Sequence, residues 1–589
     1  MHRLVVAGLV VLTSQTASAE RATWLLDDDA AVVARIDVEP LYQLVDLAAR
    51  SGDQLSRSIA LVGTASRFKL GLNLLQRAGF KAAGFDERRP MWLQLGAIDG
   101  ERVDRAFEHL AGASDWTPKV LRKSPKAVWR SRWIIPIRDR RKAKKTLVSL
   151  LGTVAELQPV YPKNRERLAL LVGERPRKSA DVVARLTRKG VATIGWAPQL
   201  DAYVTLRFGR RHAVVDIIGT FAGVPLVWAR DRKKLIGAIA RFGPRRSSFS
   251  LKDKARRSLT RKGVHLWVGS EAAGAALKAI GLNERLRATA ARMPQSAAQR
   301  KRASKRDPDC VALEDLATRG QVSEMSLSLL PSKGQLQVRA SWKLRRPDWL
   351  AAMHNPGSEV VAPGAGGSVA TATVFLGGGQ QLAKLRLPAP LARGLGSGLR
   401  ALTRCPGGSF IAFALLRWPE LAASFVADLR SVHPMGKRIV AAISNPAVAI
   451  KIPSGLAGNG VMAFDATVGK RARADIEGLF DQLFGNRQGL ANGTVWGRGR
   501  FTPFRRGQRL GFGLGRRSRD WYVKLPAGKP SRSLARAWFD LPGLVVPLAR
   551  TNKSLDWLGR LARTSLGKAE LDVALDGDVV SATADIELQ

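Results

Sequence analysis

His109, His212, His265, His354 and His433, with Cys310 and Cys405, are the residues through which this chain could hold a transition metal or activate a nucleophile. Their spacing supports neither. No His-Glu-x-x-His helix face and no Cys-x-x-Cys pair occurs. Each histidine therefore reads as a core or surface residue. Asp27-Asp28-Asp29 and Asp576-Gly577-Asp578 gather carboxylates, but neither continues into a calcium-loop pattern, and solvation or turn formation accounts for both. Gly377-Gly378-Gly379 reads as a hairpin turn. Gly394-Leu395-Gly396-Ser397-Gly398 offers backbone N–H groups to an anion without the Gly-Lys-Ser/Thr of a phosphate loop. No Gly-x-Ser-x-Gly nucleophile elbow is present. The sequence predicts no catalytic residue, metal ligand or cofactor site.

Binding chemistry is better represented. The chain carries 96 Lys+Arg against 48 Asp+Glu, a formal charge of +48. Lys119 to Lys145 holds twelve basic residues against Asp139 alone, and Arg230 to Lys262 holds thirteen against Asp231 and Asp253. Two candidate anion-binding groups stand out. One is Trp129, Arg130, Arg132 and Arg138, where cations flank an indole in the manner of a lipid-interface anchor or a ligand stack. Trp133 beside them fits an apolar strand and is expected to pack. The other is Arg505, Arg506, Arg509, Arg516, Arg517 and Arg519, for which the plainer reading is a solvated hairpin face. Fields of this kind attract anionic partners, and salt weakens the attraction.

Residues 1–19 bear on which anions those are. His2 and Arg3 precede an apolar stretch from Leu4 to Leu12, and Ala17-Ser18-Ala19 is a small-x-small cleavage pattern. This is the layout of a secretory signal peptide cut after Ala19, too short in its apolar part to span a bilayer. The sequence thus predicts export, to the periplasm or the medium, with peripheral membrane association open. Anionic envelope lipid or glycan becomes the expected partner, and nucleic acid is disfavoured. In an oxidising compartment Cys310 and Cys405 could form one long-range disulfide, with two free buried thiols as the alternative.

Elements that would position these groups are legible in the hydrophobic periodicity. Ala31–Ile36 reads as a strand and Leu41–Ala49 as a helix with Leu41, Leu44, Val45 and Ala48 on one face. A similar strand and helix are read at Ser409–Arg417 and Leu421–Leu429. Trp133–Gly152 and Val224–Gly243 share a strand, an Arg-Asp step and a basic amphipathic helix. In them Asp139 and Asp231 are expected to cap the helices, and Gly152 and Gly243 to stop them. Val545–Ala549 reads as a looser third strand of this kind, followed by a helix over Thr551–Leu561.

Period-two alternation predicts hairpins at Glu324–Leu329 with Gln335–Leu344, and at Leu571–Leu575 with Val580–Leu588. Ala202–Phe208 is expected to pair with His212–Ile217, and Leu510–Leu514 with Trp521–Leu525. The fold class is α+β: two loosely related portions of antiparallel sheet, with helices packed on the sheet faces. The portions are residues 20–346 and 368–589, joined by a linker over 347–367, and a further break is plausible over 296–309.

The segment Leu70–Leu95, with Gly84, Phe85, Asp86, Arg89 and Pro90 ahead of a strand, followed by Trp133–Gly152, resembles uncharacterised exported α+β proteins of Gram-negative, myxobacterial-type bacteria. The resemblance implies an envelope or extracellular setting and transfers no catalytic residue. Together these features predict a non-enzymatic binding or scaffold protein for anionic lipid or glycan. An exported hydrolase with a dispersed active site and a periplasmic solute-binding protein are the alternatives.

Overall fold

The computed structural model describes residues 30–49, 71–96, 128–154, 191–197, 202–220, 254–269, 322–344, 368–375, 443–453, 461–490, 493–497, 501–514, 533–551 and 556–589, with shorter pieces between them. Residues 1–19, the 224–243 segment with Asp231, Ser409–Arg417, Cys310 and Cys405 lie outside that set. Among the described residues no helix is long and apolar enough to cross a membrane.

Antiparallel pairing dominates. The first half supplies β1 (Val32–Ile36), β2 (Met91–Leu95), β3 (Val128–Pro136), β4 (Val191–Ala197) and β5 (Ala202–Phe208). It continues with β6 (His212–Thr220), β7 (Val264–Gly269), β8 (Val322–Ser332) and β9 (Gln335–Leu344). The short β10 (Ser358–Glu359) pairs only with β18 (Pro530–Ser531). The second half supplies β11 (Ser368–Phe375), β12 (Ile443–Pro453), β13 (Val461–Val468), β14 (Gln488–Leu490) and β15 (Gly493–Val495). It ends with β16 (Phe501–Arg506), β17 (Arg509–Leu514), β19 (Ala535–Asp540), β20 (Leu566–Asp576) and β21 (Val579–Leu588).

Nineteen of these strands form one sheet. From one edge, the pairings run β4-β5-β6-β3-β2-β1-β7-β8-β9, cross to β21, and continue β20-β19-β11-β12-β13-β17-β16-β15-β14. Read outward from the β9–β21 ladder, both sides follow the same order. Registers match as well: Val33, Trp267, Ser326 and Ser341 face one another across β1, β7, β8 and β9. Thr371, Trp538, Glu570 and Asp585 do so across β11, β19, β20 and β21.

Among the described residues the helices are few, so the observed class is mostly antiparallel sheet. Those longer than one turn among the described residues are α1 (Val38–Ala49), α2 (Arg77–Ala82), α3 (Arg140–Val154), α4 (Lys470–Phe484), α5 (Leu541–Thr551) and α6 (Asp556–Ser565). Asp139 caps α3: its Oδ1 accepts the N–H groups of Arg141 and Lys142 at 2.9 and 3.1 Å. Gly152 does not stop that helix, which runs on to Val154.

Two other expectations are corrected. Val545–Ala549 is helical, because Asp540 accepts the Gly543 N–H at 3.3 Å and Pro542 suits a first helical turn. Leu510–Leu514 has both edges filled, by β16 on one side and β13 on the other, while its expected partner Trp521–Leu525 lies outside the described residues.

Because side chains alternate across a strand, the two faces of the sheet differ. One cross-strand row reads Leu206, Val215, Trp133, Leu93, Ala34, Leu266, Leu327, Ala340, Ala582, Val573, Ala535 and Val374. It is apolar throughout. The next rung, on the opposite face, reads Trp92, Arg35, His265, Ser328, Arg339, Thr583, Asp572, Arg536 and Thr373.

Helix α3 covers one flank of the apolar face, where Ala143 and Leu147 pack with Val204, Leu206, Ala213 and Val215. Helix α4 does the same on the other side, Ile476 packing with Val468 and Leu510. On β3, β7 and β8 the covering is incomplete.

Candidate interaction surfaces

Three large side chains of the apolar row remain open: Trp133 is 44% exposed, Leu266 36% and Leu327 39%. They belong to β3, β7 and β8, which sit within four strand spacings of one another, about 20 Å. Trp133 was expected to pack; instead its indole N–H donates to Ser131 Oγ at 2.8 Å while the ring stays half in solvent. Alternation placed Leu327 on a sheet face with Met325 and Leu329; the strand that carries Leu266 was not read from the sequence. Alternation could not show that α3 stops short of them.

The predicted cationic groups are placed differently from one another. Trp129 and Arg130 lie on β3, opposite Gly219 and Ile218. Arg138 is exposed in the turn before α3. Arg132 is not a surface cation: it is 5% exposed and its Nε donates to Asp216 Oδ1 at 2.6 Å. Arg505 is half-buried and bonds both carboxylate oxygens of Glu477 on α4, at 3.1 and 3.2 Å. Arg506 and Arg509 face each other across the β16–β17 hairpin, with Arg509 Nη1 3.3 Å from Thr467 Oγ1. Arg516, Arg517 and Arg519 lie outside the described residues. Exposed basic charge is instead gathered on α3 and its approach, at Arg138, Arg140, Arg141, Lys142, Lys144 and Lys145.

No protein-family model, curated protein or solved structure matches this chain. Its own residues carry the functional reading.

A serine–histidine pair lies on the polar face, with Ser328 Oγ 2.8 Å from His265 Nδ1. Beside it Arg35 is locked to Asp37 at 3.1 Å, and Asp37 also accepts the Gly263 N–H at 2.9 Å. The arrangement does not serve hydrolysis, because Ser328 is 2% and His265 1% exposed. Burial, aided by the nearby Arg35 charge, pushes the imidazole down to about 4, which makes it a poor base near neutral pH. Among the described residues no group of three metal-ligating side chains converges.

The depressed imidazole has a consequence for stability. A histidine that titrates near 6.5 when unfolded and near 4 when folded leaves the fold unaffected above pH 6.5. As pH falls through that window the unfolded chain binds the proton first, and up to about 3 kcal/mol is lost by pH 4. Denaturation midpoints measured at stepwise lower pH should therefore fall less steeply for His265→Asn than for the native chain. Parallel curves for the two proteins would refute this assignment.

Proposed function

We propose that this protein is a non-enzymatic, envelope-associated binding or scaffold protein whose partner is an anionic lipid surface. In this reading it works outside the cytosol after cleavage following Ala19. It is an α+β platform with helices packed on the sheet and part of the apolar face left exposed at β3, β7 and β8. The observation that carries the reading is the exposure of three large side chains, Trp133, Leu266 and Leu327, on the apolar face. A glycan offers little to such a row; acyl chains and the lipid interface gain from covering it. The basic turn and helix from Arg138 to Lys145 supply the attraction to headgroup charge.

Flotation with phosphatidylglycerol-containing vesicles and with neutral phosphatidylcholine vesicles, over a range of salt, tests the reading. Binding should favour the anionic vesicles and weaken with salt. The triple variant Trp133→Ser, Leu266→Ser, Leu327→Ser should bind about tenfold more weakly or worse. Because each of these side chains is still more than half covered, the triple variant should also lose stability, so binding is compared at a temperature where its denaturation curve shows it folded, and the single Trp133→Ser variant serves as the milder check. Equal binding to both vesicle types, or a triple variant that binds like the native chain, would exclude this surface.

A further inference from the structure

Two positions related by the repeated strand order carry a tryptophan in different surroundings. In the first half, Trp267 on β7 lies opposite Val33 and Ser326. The Arg256 guanidinium stands over its ring, 4.5 Å from the centre. That guanidinium is also 3.0 Å from Glu324 Oε1, and Glu324 Oε2 accepts the Trp267 indole N–H at 3.0 Å. Arg256 comes from a 3-10 turn, Lys254–Thr260, and Trp267 beneath it is 4% exposed. Here the protein fills the place with a cation of its own.

In the second half, Trp538 on β19 lies opposite Thr371 and Glu570, and Glu570 lies opposite Asp585. A cavity opens at this place, lined by Thr371, Thr373, Arg536, Trp538, Glu570 and Asp585 among others. Arg536 is tied to Asp572 at 3.2 Å, and Asp572 also accepts the Ser533 hydroxyl at 2.6 Å. Asp585 accepts one bond, from the Gln337 amide at 2.6 Å. Glu570 and Asp585 are both exposed. The surrounding hairpin, β20 with β21, carries Glu570, Asp572, Asp576, Asp578, Asp585 and Glu587 against Lys568, in a chain whose formal charge is +48.

We propose that this cavity binds a guanidinium or primary ammonium group from outside the chain, which occupies over Trp538 the place that Arg256 holds over Trp267. An indole face attracts a cation, and the guanidinium, being planar and weakly hydrated, gives up water for such a site at low cost. Carboxylates beside the ring add charge-assisted hydrogen bonds. In the first half the carboxylate partner of the tryptophan is Glu324, two residues along β8 from the directly opposed Ser326. In the second half a carboxylate, Glu570, stands directly opposite the tryptophan, with Asp585 on the next strand.

Calorimetric titration of the full chain with N-acetyl-arginine amide tests the proposal, with the blocked citrulline amide as the uncharged isostere. Arginine should bind about tenfold more tightly than citrulline. The double variant Glu570→Gln, Asp585→Asn should lose about that factor, and Trp538→Phe a smaller one. Trp267→Phe should leave the affinity unchanged. A tri-arginine peptide that binds more tightly than the single amide would identify a basic polypeptide as the ligand, and equal affinity would identify a small cation. Both support the site. Citrulline binding as well as arginine, or arginine binding unaffected by the double variant, would overturn it, as would no binding at millimolar concentration. Should the double variant prove unfolded by its denaturation curve, Glu570→Gln alone and Trp538→Phe decide the matter.

Discussion

Asp216→Ala lowers the free energy of unfolding by about 3–5 kcal/mol, read as a large drop in the urea midpoint. The Asp216 side chain on β6 is fully buried and stands between two arginines. Arg132 Nε lies 2.6 Å from Oδ1, and Arg207 Nη2 lies 2.8 Å from Oδ2. Removing the carboxylate leaves the Arg132 guanidinium buried without its counter-charge, and the penalty of burying a bare charge exceeds what the pair contributes when intact. The double variant Arg132→Met, Asp216→Leu should therefore recover part of the loss, since it removes the more deeply buried guanidinium, while Arg207, 18% exposed, still loses its bond to Asp216. A single Asp216→Ala change that costs less than about 1 kcal/mol would show that water reaches this cluster in solution.

Gly84→Ala is expected to cost about 2–4 kcal/mol, for two reasons that add. Gly84 has φ +89°, a conformation alanine adopts only under strain. A methyl group there would also lie 2.7 Å from the Ala143 nitrogen and the Asp139 carbonyl oxygen. Both are backbone atoms of the start of α3, so no side-chain rotation relieves the clash. The same glycine fixes that helix start through its carbonyl, which accepts the N–H groups of Arg138 and Asp139 at 2.9 and 3.0 Å. Gly152→Ala is the control. Its added methyl meets nothing within 4 Å, and inside a helix it should stabilise by up to about 1 kcal/mol. Thermal melts of the two variants should move in opposite directions, and movement together would contradict this account of Gly84.

Both expectations concern groups whose partners are remote in sequence, and such groups are where sequence reading failed. Arg132 looked like part of a surface cluster because its neighbours in the chain are basic. Asp216, 84 positions away, decides its fate. The apolar run at Val545–Ala549 fits a strand or a helix over so short a length, and the informative residues were Asp540 and Pro542 just before it. The Leu510–Leu514 strand was recognised, but its partner was sought downstream while β16, immediately upstream, had already taken that edge.

Local periodicity did carry much of the architecture. Glu324–Leu329 with Gln335–Leu344 and Leu571–Leu575 with Val580–Leu588 fall within β8–β9 and β20–β21. Ala202–Phe208 pairs with His212–Ile217 within β5–β6. Asp139 caps the helix that its Arg-Asp step announced. These features depend on residues close in the chain, where alternation, capping and turn chemistry act without help from the rest of the fold.

What the sequence by itself determined is thus the local hairpins at β5–β6, β8–β9 and β20–β21, the capped start of α3 and the excess of positive charge. Only the tertiary structure decided that nineteen strands share one sheet, that Trp133, Leu266 and Leu327 remain open, and that Trp267 is covered while a cavity forms at Trp538. The physical reason is that a strand's alternation states which side is apolar but not which helix or turn comes to rest on it. Covering depends on where the helices and turns between the strands come to rest, and the alternation of the strand alone does not encode that.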